Sequence, residues 1–131
     1  MKFLCLICAE KVMEQMSPEE AAGHYDEYVK FTADISRSGH FISCNRLLPP
    51  AEATTVRLRN GRITATDGPW VETKEQLGGY FLIEARDLNE AIRIAARIPG
   101  AAKGCVEVRP VAEDAATQKV LDAGFRHVTD Q

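Results

Sequence analysis

Thr66-Asp67-Gly68-Pro69-Trp70-Val71-Glu72-Thr73-Lys74-Glu75-Gln76-Leu77-Gly78-Gly79-Tyr80-Phe81-Leu82-Ile83-Glu84 joins a turn nucleus to a charged loop, a glycine pair and an apolar run. Asp-Gly-Pro is turn chemistry, because it combines a side-chain acceptor, a residue free to take positive φ and a ring that presets φ. From Gly79 to Ala85 the apolar residues do not alternate with polar ones, so the run reads as a strand covered on both faces. Phe3 to Cys8 has the same character. Two inner strands of this kind need layers above and below them, and that requirement governs the architecture.

Working outward, Ser17-Pro18-Glu19-Glu20 is a strong helix start, with serine as N-cap, proline at the first helical position and glutamate three residues after the cap. The helix carries Ala21, Tyr25, Tyr28, Thr32 and Ile35 on one stripe, with His24, Val29 and Phe31 beside it, and Gly39 suits its left-handed end. Phe41 to Leu47 reads as a strand stopped by Pro49-Pro50. Thr54 to Thr66 reads as a hairpin around Asn60-Gly61, a pair that favours a type I′ turn. In that register Leu58 faces Ile63 and Val56 faces Ala65. This apolar side is expected to lie on the core, with Arg57, Arg59 and Arg62 pointing away. Asp87-Leu88-Asn89-Glu90 starts a second helix whose stripe is Ala91, Ile94, Ala95 and Ile98. Cys105 to Val111 reads as the last core strand.

The order β-α-β, hairpin, β-α-β predicts a single α+β domain over residues 1–111, a ferredoxin-like βαββαβ sandwich with an inserted hairpin. That topology places the first and third core strands in the middle of the sheet, and these are the two runs found apolar on both sides. With both helices on one face, the other face would expose a larger patch than a monomer tolerates. A homodimer packed sheet against sheet, a dimeric α/β barrel, is the expected solution. Residues 112–131 read as a partly helical tail whose Val120, Leu121 and Phe125 dock on the domain or on the dimer partner.

The 131 residues, 45% hydrophobic, suffice for one domain with its own core. Net charge is −3 with both signs scattered, whereas nucleic acid selects a concentrated basic surface, so it is not an expected partner. No run approaches the roughly 20 apolar residues of a membrane helix. Glu10-Lys11 breaks the N-terminal apolar run before any secretion-signal cleavage site. A cytoplasmic protein with no membrane partner is the expectation. Cys5 and Cys8 form a C-x-x-C, but in a strand residues three apart point to opposite faces, which favours buried, hydrophobe-like cysteines over a shared metal or disulfide. His40 and His127 have no partner at metal-ligand spacing and there is no phosphate-binding loop, so neither metal nor cofactor is expected.

His24 stands at the edge of the first helix's apolar stripe, where an imidazole can be half-buried with a pKa near neutrality, as proton transfer requires. The plainer reading is a boundary histidine bonded to backbone or water. Asp67 before Gly68-Pro69 serves a turn, and a carboxylate held by a turn is also suited to orienting an imidazole. Arg57 can attract an anionic group or simply be part of a solvated edge. Trp70 and Tyr28 offer ring surfaces to a ligand or to the core.

Asp67-Gly68-Pro69-Trp70, Glu72-Thr73-Lys74-Glu75-Gln76-Leu77-Gly78-Gly79-Tyr80, Ala53-Thr54-Thr55-Val56-Arg57, Glu84-Ala85-Arg86-Asp87-Leu88 and Val106-Glu107-Val108-Arg109-Pro110-Val111 together resemble the DGPF-type branch of the YCII-related family. Trp70 stands where that branch usually has phenylalanine, and the tail after Val111 is longer than expected. The resemblance implies a ferredoxin-like dimeric barrel. It also implies a histidine–aspartate pair in a cleft, matched here by His24 and Asp67, with lyase-like chemistry in a few relatives. Some DGPF-type relatives are encoded beside alternative sigma factors, which implies regulation. Two functions are therefore expected as alternatives. One is a small-molecule-binding homodimer with cofactor-independent His24/Asp67 acid–base chemistry, the ligand held by Arg57, Trp70 and Tyr28. The other is a non-catalytic regulatory module that binds a ligand or a protein.

Overall fold

A computed structural model describes residues 1–10 and 15–129. The polar link before Ser17 falls largely in 11–14, outside the described residues, as do the side chains of Glu10 and His127. The elements are β1 (Lys2–Glu10), α1 (Pro18–Arg37), β2 (Phe41–Arg46), β3 (Thr54–Arg59), β4 (Arg62–Asp67), β5 (Glu75–Glu84), α2 (Leu88–Ala95), β6 (Gly104–Pro110) and α3 (Ala115–Thr129). Short 3-10 turns occupy Pro50–Glu52 and Pro99–Ala102.

The main sheet is antiparallel with order β2-β5-β1-β6, so the two continuously apolar strands are the central pair. This α+β arrangement is compatible with a ferredoxin-like fold. Alternation along β1 and β5 splits their side chains between two faces. Phe3, Cys5, Ile7, Phe81 and Ile83 are buried with Phe31 and Ile35 of α1 and with Ala91, Ile94 and Ala95 of α2. Leu4, Leu6, Cys8, Tyr80 and Leu82 take the other face and stay half-buried.

The local signals act as the residue chemistry requires. Ser17 accepts from the Glu20 N–H at 3.1 Å, Pro18 opens α1, and Gly39 beyond its end has φ 81°. Asp87 caps α2 by accepting from the Glu90 N–H at 2.9 Å. Asn60 (φ 52°) and Gly61 (φ 75°) form the left-handed pair of the hairpin turn, with Arg59 opposite Arg62. β5 starts earlier than the apolar run suggests, because Glu75, Gln76 and Leu77 pair with Glu10, Ala9 and Cys8 beyond a bulge at Ile7/Cys8.

Two expectations are corrected. The hairpin does not lie on the core: β3 and β4 form a separate two-stranded sheet, and Val56, Leu58 and Ile63 are exposed, Ile63 to 76%. Periodicity shows that a strand pair has an apolar side but not which surface, if any, receives it. The buried stripe of α1 is also rotated, centred on His24, Phe31 and Ile35, while Val29 is exposed and Tyr25 half-exposed. Phe81 decides this rotation, because it sits edge-on to Phe31 at 5.2 Å and stacks on Tyr28 at 6.2 Å.

The β2–β5 contact leaves no room for a side chain at Gly79, where a Cβ would lie 2.7 Å from the Asn45 carbonyl oxygen. Gly79→Ala is expected to destabilise by about 1–3 kcal/mol through this overlap. Gly23→Ala, in α1 with nothing within 4 Å of its Cβ, should stabilise by roughly 0.5–1 kcal/mol. Urea unfolding of the two variants checks both signs.

Candidate functional site

A cavity of about 580 Å³ opens between the first half of α1, the ends of β1, β2 and β5, and the segment Leu47–Pro50. Its floor is apolar, from Ile7, Ala9, Cys44 and Phe81. Its polar side chains include His24, Tyr25, Tyr28, Arg46 and Gln76, and among the described residues no carboxylate lines it. Gly78 and Gly79 line the same wall, so the glycine pair lets the β5 backbone run close to both β2 and the cavity.

α1 turns His24 inward, one helical turn before Tyr28 and seven residues before Phe31. His24 is only 8% exposed, and its ring meets Tyr28 edge-on at 5.0 Å. Both ring nitrogens are buried without a hydrogen-bond partner among the described residues. The nearest carboxylate, Glu27 one turn along, has Oε2 4.0 Å from Nδ1, beyond hydrogen-bond length. Burial pushes the His24 pKa below the usual histidine range; the positive charge of Lys103 adds to this and Glu27 opposes it. The imidazole is therefore held neutral, with one N–H to donate and one lone pair to offer.

Tyr28 is anchored from the other side, its hydroxyl oxygen accepting the Gly100 N–H at 3.1 Å. Burial raises its pKa, so it remains a phenol. Gly100 has no freedom to change here, because a Cβ would meet Ile7 Cγ2 at 2.6 Å and the Tyr28 hydroxyl at 2.8 Å. Arg46, at the end of β2, donates to the Tyr25 hydroxyl and sets its guanidinium 5.5 Å from that ring's centre. Among the described residues the cationic group of the cavity is thus Arg46.

The sequence candidates divide. His24 and Tyr28 share the cavity, whereas Arg57, Asp67 and Trp70 lie on or just after the hairpin and do not line it. All three are exposed, Trp70 to 77%. Within one chain Asp67 makes no hydrogen bond to His24. The turn after Asp67 is held by the Gly68 N–H to the Ala53 carbonyl and by the Thr55 hydroxyl to the Gly68 carbonyl, both at 2.8 Å. Arg46 escaped the sequence reading because a single arginine at a strand end carries no spacing signal.

A second histidine constellation, also missed, joins the end of α1 to the start of α2. His40 Nδ1 is 2.7 Å from the Ser38 hydroxyl and Nε2 is 3.2 Å from Glu90. It is a tie between helix ends. Ser38 also points at the Asp34 and Ile35 carbonyls, Glu90 accepts the Arg86 N–H, and none of Ser38, His40 and Glu90 lines the cavity.

The sequence profile of the YCII-related domain matches residues 1–114. This chain belongs to the YCII-related family. It is 44% identical over 69 residues to an uncharacterised protein of Rhizobium meliloti (strain 1021), an alignment covering 51% of this chain and 56% of that one. The chain therefore spans little more than half the length of this curated relative. Among the described residues no helix is long and apolar enough to cross a membrane, and no group of three or more histidine, cysteine or acidic side chains could hold a metal.

The lowered pKa of His24 sets a pH dependence. Below the unfolded-state value near 6.5, the unfolded chain binds a proton that the folded chain resists, so stability is complete above that value and falls as pH drops below it. Urea unfolding at pH about 8 and about 5.5 should show the loss, and His24→Phe should flatten it.

Proposed function

We propose that this YCII-related chain is a small-molecule-binding homodimer whose ligand occupies the cavity around His24. The observation that carries this reading is the buried imidazole with both nitrogens unpartnered beside open space. A buried polar group without a partner is costly, and a ligand offering one donor and one acceptor would remove that cost. The apolar floor and Arg46 favour a largely apolar molecule with one acidic group. Arg46 holds the acid, the aromatic residues Tyr28 and Phe81 receive the apolar body, and neutral His24 takes or returns a proton. The reaction class is cofactor-independent elimination or hydrolysis.

What supports dimerisation is the half-buried Leu4, Leu6, Tyr80 and Leu82 together with the exposed apolar side of the hairpin. In this reading the sheets face one another as in a dimeric α/β barrel. Arg57, Asp67 and Trp70 act on the second subunit's cavity, and Asp67 orients His24 across the interface. Sedimentation at micromolar concentration should return a dimer, and Leu6→Lys with Leu82→Lys should return a folded single chain.

Benzoate and hexanoate are suitable probes. Each should raise the melting temperature of the wild type, Arg46→Ala should lose about tenfold in affinity, and His24 ring resonances should shift on binding. A wild type indifferent to both acids, with His24 resonances unmoved, would refute the acidic-ligand reading. A second reading, a non-catalytic module that docks a protein, is favoured by the exposure of Trp70 and of Val120 and Phe125 on α3. It requires that His24→Ala leave the biological effect intact.

A further inference from the structure

The C-x-x-C spacing draws attention to Cys5 and Cys8, yet the structure separates them. Cys5 is fully buried among the helix-facing side chains, and Cys8 lies half-buried on the opposite face. The β1–β6 register supplies Cys8 with a different neighbour, for it stands directly across from Cys105. Directly opposed residues of an antiparallel pair have Cα atoms about 4.5 or 5.5 Å apart. Both spacings fall within the roughly 4.4–6.8 Å that a disulfide spans without backbone movement. Cys105 is exposed, and its S–H donates to Glu75 Oε2 at 3.0 Å. All four cysteines are free thiols.

We propose that Cys8 and Cys105 are the two halves of a reversible intrachain disulfide, closed by exchange with a low-molecular-weight disulfide, with Glu75 setting the rate. In the single chain, before the proposed dimer covers this sheet face, Cys105, the more exposed thiol, loses its proton and attacks one sulfur of the small disulfide. A Cys105–small-thiol bond forms, the original S–S bond breaks, and the departing thiolate takes up a proton. Cys8, deprotonated in turn, attacks the Cys105 sulfur, closes the protein disulfide and expels the second small thiol. The protein loses two electrons and two protons, and the small disulfide is reduced to two thiols. Because Cys8 faces Cys105 across the ladder, the second step is intramolecular and outruns accumulation of the mixed disulfide.

Glu75 acts as a brake. Its acceptor oxygen and negative charge push the Cys105 thiol up to about 11, and burial raises Cys8 as well. The thiolate is the attacking species, so exchange is slow at neutral pH and accelerates as pH rises. Cys8 also lies between Ile7 and Ala9, which line the cavity, so the cross-link stiffens the strand behind the ligand site.

The test uses the full chain with oxidised glutathione, followed by mass spectrometry and a non-reducing peptide map. The expected product lacks two hydrogens, carries no glutathione and joins the Cys8 and Cys105 peptides. It should melt higher by roughly 5 °C or more, because the cross-link closes a long loop. Cys8→Ser should stop at a glutathione adduct on Cys105, and Cys44→Ser should still form the Cys8–Cys105 bond. Glu75→Gln should move the rate–pH profile to lower pH and speed closure at neutrality several-fold; an unchanged profile removes Glu75 from the proposal. A wild type that accumulates the Cys105 adduct without closing, links chain to chain, or stays reduced would overturn the disulfide itself.

Discussion

The pairing of β1 with β5 is the constraint on which the rest of the molecule depends. Phe3, Cys5 and Ile7 on one strand and Phe81 and Ile83 on the other lie on one face, where α1 and α2 cover them. Their apolar neighbours Leu4, Leu6, Tyr80 and Leu82 must then project the other way, where these helices do not reach. A strand has only two faces, so a sequence apolar on both commits the chain to two covering layers. The helix side becomes the core. The opposite side becomes the surface through which the proposed dimer forms.

The same pairing makes the cavity. Gly79 lets β2 approach so closely that no side chain fits between them. The bulge at Ile7/Cys8 shifts the strand ends. Phe81 meets Phe31, Tyr28 and Phe41, and this aromatic cluster sets the rotation of α1. Rotating α1 into that cluster carries His24 inward, to the cavity wall, with both nitrogens lacking a hydrogen-bond partner among the described residues. The unusual state of the imidazole is thus a consequence of packing two turns away.

Much of the fold was legible because it rests on local chemistry. Ser17-Pro18, Asp87, Asn60-Gly61 and Gly39 act through their own side chains or backbone freedom, and each stands in the role its type allows. Strand order was legible for a related reason: a strand that is apolar on both faces belongs at the centre of a sheet. The site was less so. His24 and Tyr28 were identified from a helical stripe, but Arg46 was not, and Asp67, Arg57 and Trp70 stand outside the cavity of their own chain. Neither Cys8–Cys105 nor His40–Glu90 has a sequence signature, since each pair is set by register or by helix docking between distant segments.

Sequence alone determined which segments are helix and strand, which strands are inner, and that one sheet face would lack a cover, because these depend on periodicity and capping within a few residues. Only the tertiary structure decided which side of α1 turns inward, that the hairpin stands away from the core, and which cysteine meets which. Those outcomes depend on how distant surfaces fit, and a fit between distant surfaces is a property of shape that no local spacing encodes.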